Sequence, residues 1–147
     1  MSQSGKRPPF RAEHVGSMLR PPELRAAYRQ FGDGTLDEAG FQAVQNQSIR
    51  DVVTLQQDIG FEAVNDGEFR RISYWAHFVD GTEGLDVSEA RFDFHNNQGD
   101  STHFLAPLVT GPLRRAHPIS GLEFDFLNTV ATAMPKITLP SPPTMHF

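Results

Sequence analysis

The sequence predicts an α/β fold built on parallel strands, and three observations predict it. Short apolar runs alternate with longer segments of helical period. Each run ends in a turn rich in Gly, Ser, Pro or charge: "HVGS" (14–17), "NDGEFRR" (65–71) and "LPSP" (139–142). The stretches between the runs are long enough for crossover helices, the connection that parallel strands require.

Residues 1–9 are polar and Pro-rich and read as a loose arm. "FRAEHVGS" (10–17) reads as a short strand running into a Gly-Ser turn. In "RPPELRAAYRQFG" (20–32), Pro21 and Pro22 suit a helix start and Gly32 its end. Leu24, Ala27, Tyr28 and Phe31 fall on one face of that helix. Thr35 and Glu38 have capping-box spacing. They introduce a second helix, over about 37–59, whose stripe is Phe41, Val44, Ser48, Val52, Leu55 and Ile59.

"FEAVND" (61–66) then reads as a buried strand with "GEFRR" at its C-terminal end, and "ISYWAHF" (72–78) as one or two helical turns. The alternation in "ARFDFH" (90–95) and "THFLAPLVTG" (102–111), separated by "NNQGD", predicts a β-hairpin within 80–120. Pro107 and Pro112 confine its second arm to an edge. The next helix spans 120–134, with Ser120 and Glu123 in capping-box register. A last strand, "KITLPSP" (136–142), ends the pattern.

Without the hairpin the order is β, α, α, β, short α, α, β. Three parallel strands leave bare edges, and a (β/α)8 barrel takes about 250 residues. The 147 residues therefore read as the front part of a longer protein. Residues 10–147 would form a partial barrel domain with 80–120 as an insertion. A small complete α/β domain is the alternative.

Composition narrows the function. Net charge is -5, and the acids concentrate in the middle: residues 51–100 carry eleven Asp/Glu against three Lys/Arg. No basic stripe is present, which argues against nucleic acid as a partner. No apolar run is long enough to cross a membrane, and the N-terminus lacks the apolar core of a signal peptide. The chain has no cysteine, so it can build neither a disulfide nor a thiolate metal site. That agrees with a cytoplasmic protein. His14 and His77 are isolated, and His95, His103 and His117 lack ligand spacing, so no metal site is expected within the chain. Neither a nucleotide-binding glycine motif nor a GxSxG nucleophile occurs.

In a parallel α/β unit ligands bind beyond the carboxyl ends of the strands. The three turns fall there. Gly16 lets a backbone approach a ligand, and Ser17 with nearby N–H groups suits a carboxylate; a plain tight turn is the alternative. Glu68 suits an ammonium group, or is an acid favoured at a helix start. Asp66 either orients a ligand or caps the turn. Arg70 and Arg71 suit an anion, or pair with an internal acid. Tyr74 and Trp75 would wall a pocket or enter the core.

"FRAEHVGSMLRPPEL", "VTLQQDIGFEAVNDGEFRRISYWAHF" and "KITLPSPPTMHF", in that order, resemble the cobalamin-independent methionine synthase family, its shorter single-barrel members above all. The more specific parts are Q-x-x-x-G leading into DGE-x-x-R. The resemblance implies the first three strands of a (β/α)8 barrel. It also implies methyl transfer from 5-methyltetrahydrofolate to homocysteine, whose thiol is held by zinc as the nucleophilic thiolate. It gives Gly16 and Ser17 the homocysteine carboxylate and Glu68 the ammonium. Arg71 supports that turn or pairs with Glu68, and Ser141 of "LPSP" lines the folate side. The family's zinc ligands, His, Cys and Glu, lie on later strands, so zinc is expected for the full-length protein and not for this chain, which is expected to be inactive alone. Two alternatives are a related thiol alkyltransferase, such as one that opens epoxides with coenzyme M, and a non-catalytic truncated α/β module.

Overall fold

The computed structural model describes residues 14–90, 94–95, 97–102 and 104–145. The arm at 1–9, residues 10–13 of the first expected strand and part of the expected hairpin turn lie outside them.

Helix α1, Pro22–Gly32, starts with Pro22 in its first turn, where a missing N–H is harmless. Helix α2 runs Glu38–Asp58. Its cap differs from the expected Thr35–Glu38 box: Asp37 Oδ1 accepts the Gly40 N–H at 2.8 Å, while Thr35 Oγ1 donates to the Gln30 carbonyl. Asp37 wins because it sits directly before the helix in extended backbone, the geometry a capping oxygen needs.

The buried face of α2 also turns away from the expected one. Phe41, Ser48 and Val52 are buried, but Leu55 and Ile59 are more than half exposed. Ile49, Val53 and the polar Gln45 and Gln56 face inward instead. Both glutamines find partners inside. Gln45 Nε2 reaches Tyr28 Oη and Gln45 Oε1 accepts from Arg70, and Gln56 binds the backbone of Asn65. The core joins Leu24 of α1, Ile49, Val52 and Val53 of α2, and Val64, Phe69 and Leu127. Burial of each such side chain stabilises the fold by about 1.5–3 kcal/mol.

Strand β1 is only Ala63–Val64 and pairs in parallel with β6, Met134–Pro135. The Lys136 N–H continues the ladder to the Val64 carbonyl at 2.7 Å. Parallel pairing agrees with the sequence, but the third strand lies two residues before the expected 136–142, and the described residues hold a two-stranded parallel sheet in place of a three-stranded one. The neighbouring strand explains the shift: beyond Val64 the Asn65 N–H and carbonyl are taken by the Gln56 side chain, so β1 offers no ladder partner to residues after Lys136. Of the expected turns at 72–78, the helical part is α3, Ala76–Asp80.

The hairpin is longer than expected. Strand β2, Thr82–Glu89, pairs antiparallel with β5, Leu105–Arg115, and a short inner pair, β3 (Phe94–His95) with β4 (Ser101–Thr102), extends it. "TEGLDVSE" carries too many acids to read as a strand, yet a ribbon exposes most of its side chains and tolerates them. A bulge between Glu83 and Leu85 absorbs the irregularity beside Pro112.

Helix α4 is Gly121–Val130, shorter than 120–134. Ser120 takes a left-handed conformation and makes no cap hydrogen bond; Glu123 turns inward to Arg71. No helix among the described residues is long and apolar enough to cross a membrane.

Candidate active site

The turn after β1 builds the site. Gln56, fully buried in α2, uses its side-chain amide as a strand would use its backbone. Its Nε2 donates to the Asn65 carbonyl at 2.8 Å and its Oε1 accepts the Asn65 N–H at 2.9 Å. Asn65 Oδ1 then accepts the Gly67 N–H, and Asp66 Oδ1 accepts the Glu68 N–H. These bonds hold two successive left-handed residues, Gly67 (φ 69°) and Glu68 (φ 58°). The second is unusual for a residue with a Cβ and costs on the order of 1 kcal/mol. The turn swings the Glu68 side chain toward residue 16 and the segment after β6.

There Glu68, 7% exposed, accepts a hydrogen bond on Oε1 from Thr138 Oγ1 at 2.6 Å. Arg71 Nη1 stands 3.6 Å from the same oxygen. The Arg71 guanidinium is almost wholly buried and turned to Glu123: Nε donates to both carboxylate oxygens at 3.1 Å, and Nη2 to Oε2 at 2.7 Å. Its Nη1 reaches Thr138 Oγ1 at 3.0 Å. The Arg20 guanidinium bonds the Arg71 carbonyl. Within this group two carboxylates flank one guanidinium, and Glu123 holds its hydrogen bonds.

A cleft of about 500 Å³ opens over Glu68 and Arg71. Gly16, Ser17 and Ser141 line it too, so the five residues to which the resemblance gives roles meet around one space. Ser17 and Ser141 are exposed at its rim, and Ser141 Oγ lies 2.6 Å from Thr144 Oγ1. Asp66 lies beneath the turn, outside the cleft, with its Oδ2 buried and without a hydrogen bond. Burial pushes its carboxyl above the usual carboxylate range, against the hydrogen bond from the Glu68 N–H. Tyr74 borders the cleft, whereas Trp75 is in the core. Arg70 points away, to Gln45, Asn46 and the face of Phe126.

Sequence reasoning missed Thr138 and Glu123. Thr138 lay inside a segment read as strand, and Glu123 was read as half of a helix cap. Neither has a local signal, because each meets its partner across more than 50 residues. Among the described residues no group of three His, Asp or Glu side chains is placed to hold a metal ion.

No family model matches the chain. It is 35% identical over 99% of its length to the uncharacterized protein YxjH of Bacillus subtilis, and spans 39% of that protein. It is 25% identical, over 99% of its length, to a 5-methyltetrahydropteroyltriglutamate–homocysteine methyltransferase of Synechococcus, of which it spans 19%. Among solved structures it superposes on a Listeria monocytogenes protein provisionally described as a vitamin-B12-independent methionine synthase. The TM-score is 0.69 and the identity 26%, over 95% of this chain and 38% of that one. A B12-independent methionine synthase from Shewanella, solved in complex with selenomethionine, matches with a TM-score of 0.59 at 23% identity, over 76% of this chain and 32% of that one. The chain thus covers less than two fifths of each of these relatives. The order of its motifs, its sequence relatives and its fold agree in what they resemble: over nearly its whole length the chain is similar to part of the cobalamin-independent methionine synthases.

Proposed function

We propose that the cleft binds the amino-acid end of a homocysteine-like thiol, as one wall of a site for methyl transfer from 5-methyltetrahydrofolate. One observation carries this reading: a buried carboxylate, Glu68, faces a cleft while the nearest guanidinium is committed to a second carboxylate. Such a group favours an added cation, and a substrate ammonium supplies it. Ser17 and the backbone at Gly16, which line the same cleft, suit the carboxylate of the same ligand. The Shewanella relative's selenomethionine is an amino acid with this pair of charges. A thiol that carries a sulfonate and no amine would leave Glu68 unmatched, which favours an amino acid over coenzyme M.

The (β/α)8 architecture of the whole protein belongs to the same proposal; the parallel β1–β6 pair and the superposition on the Listeria structure support it. The family resemblance also implies zinc, which supplies the thiolate nucleophile in such reactions. The residues here do not fit that ion: the chain has no cysteine, and the described residues offer no trio of His, Asp or Glu donors. The contribution of this chain is to bind and orient the amino acid.

Calorimetric titration tests the reading. L-Methionine is expected to bind about tenfold or more tightly than its amine-free analogue 4-(methylthio)butanoate, the usual loss for a charged hydrogen bond. Glu68→Gln is expected to abolish the difference. Equal affinity of the unmutated chain for both ligands overturns it.

A further inference from the structure

We propose that Glu123 is a positioning residue: it holds the Arg71 guanidinium back from Glu68, leaving the Glu68 carboxylate available to a ligand ammonium. The inference rests on the ammonium reading of the cleft.

An arginine beside two carboxylates can pair in its fork geometry with either one. Here the choice is visible. Glu123 takes Nε and Nη2, with contacts of 3.1, 3.1 and 2.7 Å. Glu68 is left with Nη1 at 3.6 Å, beyond hydrogen-bond distance for a charged pair. Thr138 fills the gap, accepting from Arg71 Nη1 and donating to Glu68 Oε1. Ser120 Oγ, at 3.4 Å from Nη2, closes the far side of the guanidinium. Glu68 therefore meets a hydroxyl where a guanidinium fork would otherwise sit. Glu123 is 9% exposed and on α4, 52 residues away in sequence, so the restraint exists only in the folded chain.

Without the Glu123 charge, the ion pair left to the guanidinium is the one with Glu68, 3.6 Å from Nη1. The guanidinium would close on Glu68 and compete with the ammonium. The carboxylate of the ligand is untouched by this change, so the effect is confined to ligands that carry an amine.

The experiment is a titration of the Glu123→Gln chain with L-methionine and with 4-(methylthio)butanoate. The expected result is an about tenfold weaker binding of L-methionine with the analogue unchanged. In the double variant Glu123→Gln/Arg71→Met the competing guanidinium is gone, and the preference for the amine is expected to return. A purely structural role for Glu123 would weaken both ligands together and would not be relieved by the second change. An undiminished preference in Glu123→Gln overturns the proposal. If the single variant does not fold, the double variant, which removes the buried pair as a unit, decides: a retained preference supports the restraint and a lost one overturns it. Failure of the ammonium reading is separate, because it shows as no preference in the unmutated chain.

Discussion

Gly16 and Glu68 share one small volume: a Cβ placed on Gly16 would lie 2.5 Å from Glu68 Oε1 and 2.6 Å from the Thr138 methyl. The backbone of residue 16 thus comes as near to the carboxylate as a side-chain-free residue allows. Glu68 Oε1 ends a flexible side chain, but the Thr138 methyl belongs to a β-branched residue held by hydrogen bonds to Glu68 and Arg71. Gly16→Ala is therefore expected to displace Glu68 and to strain Thr138. Affinity for L-methionine should fall at least tenfold, the scale of one charged hydrogen bond, and the melting temperature should fall with it. Calorimetry and a thermal melt on one preparation check both halves.

Gln56→Leu removes both hydrogen bonds to the Asn65 backbone at a fully buried position. An unsatisfied buried polar group costs about 1–3 kcal/mol. A loss of about 3 kcal/mol in urea unfolding is expected, with ligand affinity lost as well, because the Gly67–Glu68 turn hangs from Asn65. A loss below about 1 kcal/mol would show that the amide is not the anchor of the turn.

His77 supplies a pH dependence. Both of its ring nitrogens are buried without a partner, and burial foremost, then the Arg71 charge, holds its imidazolium below the usual histidine range. Glu123, Glu68 and Asp80 act in the opposite direction. With the folded pKa depressed, the unfolded chain takes up the proton first as pH falls. Stability is therefore expected to drop as pH goes below about 6.5. Urea unfolding between about pH 7.5 and 5.5 should show a shallower drop for His77→Phe.

Asp66 has the reverse sign. Its carboxyl is raised by burial, so from the unfolded value of 3.8 upward the folded chain holds the proton more tightly than the unfolded one. Stability therefore falls as pH rises through that window. Asp66→Asn keeps an oxygen for the Glu68 N–H and removes the titration. The variant is expected to gain on the parent as pH goes from about 4 to 7, read from urea midpoints at several pH values.

Patterns within a few residues were legible. The two prolines that start α1, the period of α2 and the glycine of the turn after β1 act through neighbouring backbone, so position in the chain is enough to read them. The edges of elements were less legible. Asp37 and Thr35 are both good capping residues, and the choice between them depends on where the helix axis points. Leu55 and Ile59 fit the apolar stripe of α2 but are exposed, because the helix is rotated to bring Gln56 against Asn65.

The residue types in the cleft, an acid, an arginine, a glycine and two serines at strand ends, could be read from the chain because the chain order of an α/β unit places such turns on one rim. The partnership among them was settled by folding. Arg71 has Glu68 three residues away and Asp66 five, yet takes Glu123 at 52, and Thr138 reaches Glu68 across 70 residues. Sequence proximity makes near neighbours available to an arginine. Its burial makes geometry the deciding term, and among the described residues it is Glu123 of α4 that meets the fork with both carboxylate oxygens.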